Sequence, residues 1–197
     1  MSNANKKHLS DQQLVAAVLR GDRQAFGLVV KSTEGLVAQM TFKMISSPGD
    51  RKDIAQDVYL KVFKSLPGFQ FKSKLSTWVG QIAYNTCLHY LEKRKLVLID
   101  EFDKDVEPSE MQISADVQDS TEALLSAKEL AGILQAEIDR LKPLYKTLIS
   151  LYHQEELSYA EIAEITSLPE GTVKNYLFRA RKILKAHILL QYKRSDL

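Results

Sequence analysis

Residues 96–125 hold nine acids, Asp100, Glu101, Asp103, Asp105, Glu107, Glu110, Asp116, Asp119 and Glu122, against one base, Lys104. The segment has few aromatics and no sustained hydrophobic period. A stretch of charge −8 with so little apolar surface cannot bury enough to offset the entropy of ordering its backbone, so no single core can run through it. Residues 96–120 are therefore expected to form a flexible acidic linker, and the chain to fold as two bodies around it. Of its 27 Lys and Arg and 25 Asp and Glu, 26 bases and 16 acids lie outside the acidic segment, a balance of +10. Two basic bodies on an acidic tether point to a polyanionic partner.

On both sides of the tether apolar residues recur at helical spacing, and period-two alternation is not sustained, so the expected fold is all-α: two small helical domains. Ser10 with Gln13 predicts a capping box opening a first helix, which Gly21-Asp22 closes while capping the next. The second helix carries Phe26, Val29, Val30, Val37, Met40 and Met44, and Asp50 is expected to cap the third, which ends before Pro67-Gly68. A fourth, opened by Ser73 or Ser76, runs through Trp78, Ile82 and Leu91 into Lys93-Arg94-Lys95. Order resumes near Thr121 with Leu124, Ala127, Ala131, Leu134, Ile138 and Leu141 on one face, up to Lys142-Pro143. Each domain has about eighty residues, enough for a modest core. No run reaches the roughly 18 apolar residues of a spanning helix, and the start lacks an apolar signal core. With Cys87 as the only cysteine, a cytoplasmic chain without membrane insertion or a disulfide framework is expected.

The segment from Leu157 to Leu184 scans as helix, turn, helix. Ser158 and Glu161 make a capping box, Ile162 and Ile165 face inward, Thr166-Ser-Leu-Pro forms the turn, and Pro169 and Glu170 start a helix whose inner stripe is Val173, Leu177, Ala180 and Leu184. The opposite face presents Lys174, Asn175, Phe178, Arg179 and Lys182. Arg and Asn can read purine edges in a major groove, and Lys favours phosphate oxygens.

In the third helix Asp53, Gln56, Asp57, Leu60 and Lys64 recur at intervals of three or four opposite a buried stripe of Ile54, Val58 and Val62. This is either a solvated face or a docking surface. The fourth helix interleaves aromatics, amides and bases, the chemistry used to hold unpaired bases and their phosphates. Trp78 and Ile82 suit the core better, leaving Asn85, His89 and the basic end as contact candidates. His89 is read as lacking a metal-ligating partner at helical spacing, so no metal is expected.

Four separated blocks, Gly21-Asp22 with Ala25-Phe26, Asp53-x-x-Gln56-Asp57 with Phe63, Thr77-Trp78-Val79 through Ile82-Ala83-Tyr84-Asn85, and the Ser158-to-Lys182 helix-turn-helix, occur in an order that resembles the extracytoplasmic-function (ECF) class of bacterial RNA polymerase sigma factors. The resemblance implies a region 2-like domain over 1–95 that binds core RNA polymerase and recognises and melts the minus-ten element, and a region 4-like domain over 121–197 that reads the minus-thirty-five element. It assigns core-polymerase binding to Asp53, Gln56, Asp57 and Leu60. It assigns minus-ten contacts to Asn85, Thr86, His89, Lys93 and Arg94 on the fourth helix and the loop after it, and minus-thirty-five contacts to Thr172, Lys174, Asn175, Phe178, Arg179 and Lys182. The acidic linker would thread the polymerase's RNA path. The implied partners are core RNA polymerase, promoter DNA and an anti-sigma protein, with no cofactor. Asp57 stands where such factors usually carry Glu, His89 where they often carry Asp or Lys, and Val79 where Leu is common.

The main rival is a stand-alone helix-turn-helix regulator that binds duplex DNA without polymerase. An enzyme using Asp53, Asp57 and His89 or His153 would lack a phosphate loop, a nucleophile elbow or a metal-ligand spacing to work with, so no catalytic residue is assigned.

Overall fold

A computed structural model describes residues 10–97 and 127–195, and eight α-helices account for nearly all of them. Helices α1 (Asp11–Leu19), α2 (Arg23–Met44), α3 (Pro48–Ser65) and α4 (Leu75–Val97) form the first domain, with a 3₁₀ turn at Leu66–Gly68. Helices α5 (Ala127–Arg140), α6 (Pro143–His153), α7 (Tyr159–Thr166) and α8 (Glu170–Ser195) form the second. The all-α, two-domain expectation holds. Helix α4 runs through Val97, two residues into the segment expected as linker, and residues 98–126 lie outside the described residues.

Local chemistry sets the boundaries. The Ser10 hydroxyl accepts from the Gln13 N–H at 3.3 Å, and the Gln13 side chain accepts from the Ser10 N–H at 3.1 Å, which closes the expected capping box. Gly21 takes φ +91°, and Asp22 N–H then donates back to Ala17 O at 3.1 Å, ending α1 in the left-handed manner that glycine permits. The Asp22 carboxylate in turn accepts from the Gln24 and Ala25 N–H groups of α2 at 2.8 and 3.2 Å. One expected cap is corrected. Helix α3 begins at Pro48, whose fixed φ suits a first helical position, so Asp50 sits inside the first turn and accepts from the Tyr90 hydroxyl at 2.5 Å instead. Helix α4 begins at Leu75, between Ser73 and Ser76, and the Leu75 N–H donates across the fold to Asp11 of α1 at 2.8 Å.

The first core is built from Val15, Val29, Val37, Met40, Val58, Val62, Val79 and Ala83, all essentially removed from water. Trp78 and Ile82 are half-buried and pack against it. The second is built from Leu148, Leu151, Ile162, Ile165, Val173, Leu177 and Ala180. Of the inward face expected for α5, Ile138 and Leu141, the latter just past the helix, are buried together with Glu137, whereas Ala131 and Leu134 face water. Buried Glu137 is held between Arg140 at 2.5 Å and His187 of α8 at 3.0 Å. The turn between α7 and α8 is closed by Ser167 in the left-handed region, φ 56°, with Leu168 N–H donating to Ala163 O at 3.2 Å.

The two cores are continuous. Helix α7 packs on α4 and α6 on α2. Gly80 leaves the opening: a Cβ there would stand 3.0 Å from Ile165 Cδ1, 3.1 Å from Ile165 Cγ1 and 3.1 Å from Leu36 Cδ2. Polar contacts flank it, Lys74 to Glu161 at 2.7 Å, Lys43 to Asp139 at 3.2 Å and Ser150 to Gln39 at 3.3 Å.

Leu177 is fully buried and its neighbour Asn175 exposed. Leu177→Ala is expected to lower stability to urea by about 2–5 kcal/mol, whereas Asn175→Ala should stay within about 0.5 kcal/mol of the parent.

Candidate nucleic-acid and polymerase interfaces

The inner stripe of α8 is buried as its spacing requires, which turns the opposite face outward. Lys174, Asn175, Phe178, Arg179 and Lys182 are all exposed, Phe178 to 67%, and Thr172 is half-buried. The Lys174 ammonium pairs with Glu170 one turn earlier at 2.7 Å, and that hydrogen bond raises its pKa. It also lies 5.4 Å from the Tyr159 ring. Beside this face runs an aromatic and basic strip that the sequence reading missed. Tyr152 and Tyr159 stack at 5.0 Å with 13° between their planes, and the Arg181 guanidinium lies 5.0 Å over Tyr152. Arg181 also lies 3.3 Å from His153, whose pKa burial and then Arg181 push down. Tyr159 is the first residue of α7, so the strip borders a helix N-terminus, where phosphate oxygens are favoured. Tyr152, Tyr159 and Arg181 come from three helices, and no window of sequence displays them together.

On α4 the expected contact residues separate. Asn85 is half-buried, and His89, Lys93 and Arg94 are exposed. Arg94 donates to the Tyr90 hydroxyl at 3.0 Å, which in turn donates to Asp50. An acid does stand at ligand spacing from His89: Glu92 lies 3.4 Å from its Nδ1. Two groups do not make a metal site, and the described residues contain no cluster of three such groups. Thr86 is turned inward. Its hydroxyl donates to Ile82 O at 2.7 Å and accepts from Lys61 at 3.1 Å, with only 6% of the residue exposed, so it is withdrawn as a contact.

A second aromatic surface lies before α4. Phe69 packs 4.9 Å from Trp78 and 4.7 Å from Phe71, and Phe71 is held at φ 56° with 43% of its surface exposed. Lys72, Ser73, Thr77 and Gln81 line a cleft beside Trp78. The alternation Phe69-Gln-Phe-Lys-Ser-Lys74 was visible in the sequence, but the backbone turn that exposes Phe71 was not. The expected loop after α4 lies outside the described residues.

On α3, Asp53, Gln56, Asp57 and Leu60 share one exposed face, with Leu60 at 57%. Phe63, 55% exposed, extends it and meets Phe26 of α2 edge-on at 5.1 Å. Two large apolar side chains, Leu60 and Phe63, thus stand in water beside the acids Asp53 and Asp57.

Residues 29–97 match the family "Sigma-70 region 2", and residues 131–184 match "Sigma-70, region 4". Over 184 residues the chain is 34% identical to the ECF RNA polymerase sigma-E factor of Haemophilus influenzae, covering 92% of this chain and 97% of that one. The chain belongs to the sigma-70 family, in its ECF class. As an ECF-class factor it is also 31% identical over 179 residues to the ECF RNA polymerase sigma factor SigW of Bacillus subtilis, covering 88% and 94% of the two chains. Its fold is shared by CnrH in complex with the cytosolic domain of CnrY, with TM-score 0.62, 20% identity and 90% and 96% of the two chains covered. It is also shared by the sigma factor RpoE in complex with the anti-sigma factor NepR from Bartonella quintana, with TM-score 0.57, 20% identity and 85% and 96% covered. No helix among the described residues of this sigma factor is long and apolar enough to cross a membrane.

The junction between the factor's domains carries a titration signature. Hydrogen bonds from Lys74 and then from Ser158 hold the Glu161 carboxyl at about 2, below its ordinary 4.5. A carboxyl depressed in the folded state contributes stability that is fully present above its unfolded pKa and is lost as pH falls through its folded one. Glu161→Gln is therefore expected to be less stable than the parent at pH 7, and the gap to narrow from about pH 4.5 and close near pH 2, as followed by urea unfolding at each pH.

Proposed function

We propose that this chain is a non-catalytic initiation subunit: it binds core RNA polymerase through the α3 face, reads duplex DNA at the minus-thirty-five element through α8, and holds the opened strand of the minus-ten element against α4 and the loop before it. The observation that carries this reading is the division of labour along one chain of the ECF class, an exposed groove-reading face on α8 joined to an exposed acidic and apolar face on α3. The domain limits proposed are 1–95 and 121–197 with an acidic linker at 96–120; the region 2 match over 29–97 overruns the first by two residues, and the region 4 match over 131–184 lies within the second. Bond-breaking chemistry stays with the polymerase, and the chain acts in the cytoplasm, where that enzyme works. Likeness to factors solved with CnrY and with NepR supports an anti-sigma protein as a further partner.

Each surface has a physical task. Arg179 and Asn175 can pair with purine edges while Phe178 meets a thymine methyl, and Lys182, Lys174 and Arg181 neutralise phosphates. Extruding a base from the stack costs a few kcal/mol. Stacking on a ring such as Phe71 returns about 1–3 kcal/mol, with Asn85 and His89 at hand for edges and Lys72, Lys93 and Arg94 for the backbone.

Transcription from a genomic library by core polymerase, with and without the chain, tests the whole reading, since new start sites sharing two spaced elements should appear only when it is added. A stand-alone regulator would instead footprint duplex DNA without polymerase. In the holoenzyme, Arg179→Ala should cost about 1–3 kcal/mol and relax discrimination at one duplex position, whereas Lys182→Ala should weaken all sequences alike and lower the salt slope. Asp53→Arg with Asp57→Arg should abolish co-elution with core polymerase while leaving the helical circular dichroism unchanged; normal co-elution would remove α3 as the docking face.

A further inference from the structure

The loop from Phe69 to Lys74 carries the ring of Phe71 and the ammonium of Lys72, both assigned above to the unpaired strand, and its shape is imposed from outside. Phe71 holds φ 56°, a left-handed backbone that a phenylalanine keeps only where the surrounding structure enforces it. At the entry to the loop the enforcement is local. The Phe69 N–H donates to Leu66 O at 3.1 Å, and the Phe69 ring, 8% exposed, packs 4.9 Å from Trp78 and 4.7 Å from Phe71.

The exit is fixed from another helix. Leu75, the first residue of α4, is 2% exposed, and its N–H is among those at a helix start that have no partner within the helix. It donates to the Asp11 carboxylate at 2.8 Å, across 64 positions of chain. Asp11 is itself the first residue of α1, which Leu14, Val15 and Val18 pin to the core. One carboxylate therefore serves two helix starts, and both helix dipoles favour a negative charge there. Its charge also reaches the last residue of the loop, because the Lys74 pKa is raised chiefly by Glu161 and more weakly by Asp11. Asp11 is exposed and stands outside the buried core.

We propose that Asp11 is a positioning residue for strand opening: by holding the Leu75 N–H it fixes the end of the loop, and with it the left-handed turn that presents Phe71 and the placement of Lys72. The proposal rests on the initiation reading given above. It brings α1, which carries none of the residues assigned to polymerase or promoter, into the melting step through one hydrogen bond to backbone.

Asp11→Ala and Asp11→Asn, each in the full-length chain with core polymerase, test it. Alanine removes the acceptor, and asparagine keeps an oxygen in its place. Permanganate reactivity of unpaired thymines measures opening. Asp11→Ala should give roughly fivefold fewer open complexes than the parent and Asp11→Asn should stay within about twofold of it, while both co-elute with core polymerase as the parent does. Phe71→Ala supplies a second arm. With the ring gone, adding Asp11→Ala should cost less than about a further twofold, whereas a residue that merely stabilised the fold would cost its full factor again. Trp78, the single tryptophan, packs against the loop through Phe69, so its acrylamide quenching in the free chain should rise in Asp11→Ala and match the parent in Asp11→Asn. Unchanged opening or unchanged quenching in Asp11→Ala, equal losses in the two variants, or a full additional loss in the Phe71→Ala chain overturns the proposal. So does an Asp11→Ala chain that no longer co-elutes with core polymerase, since the role would then be structural only. The unsubstituted chain serves as control: if it opens no promoter with core polymerase, the initiation reading itself fails and the positioning role falls with it.

Discussion

Position 80 lies on α4, which packs against α2, α3 and α7. Because it carries no Cβ, Ile165 packs close on the α4 backbone: an added Cβ would stand 3.0 Å from Ile165 Cδ1 and would push it back by a few tenths of an ångström. That contact lies inside one continuous core shared by the two domains. Lys74 reaches Glu161 only because α7 lies flat on the start of α4. Glu161 in turn closes the capping box of α7, accepting from the Ser158 N–H at 3.0 Å. One carboxylate thus fixes the start of a helix within its domain and the pairing of that helix with the neighbouring domain.

The polar groups buried by this arrangement are compensated individually. Lys43 is nearly inaccessible, and its ion pair with Asp139 offsets the desolvation of its buried ammonium. Burial raises the Asp139 carboxyl, but hydrogen bonds from Gln135 and Lys43 together hold it below the ordinary carboxylate range. Nearby Lys146 is pulled down by desolvation. Charge is managed differently on the outward faces, where Arg179 and Lys182 stay in water and available to a partner.

Much of this was legible in the residues. The capping boxes at Ser10 and Ser158 and the stripe Val173, Leu177, Ala180, Leu184 are local, and local rules placed them. The failures share a different cause. Asp50 looked like a cap until Pro48 claimed the start of α3, and its carboxylate then served Tyr90, forty residues away. Thr86 lies one residue from Asn85 on a helix expected to meet DNA, but its side of that helix faces Lys61 of α3. Gly80 reads in sequence as a weak point in a helix. Its use as a notch for Ile165 depends on a contact 85 positions distant, which no periodicity encodes. The ring surface of Phe69, Phe71 and Trp78 was hidden for the same reason, since a left-handed Phe71 is a property of the backbone path.

Domains of this size bury a smaller share of their surface than larger ones and have correspondingly thin stability, so a shared core matters to both. Separating the domains would return Ile165, Leu36 and the Lys43–Asp139 pair to water, so each domain depends on its neighbour for part of the surface it buries.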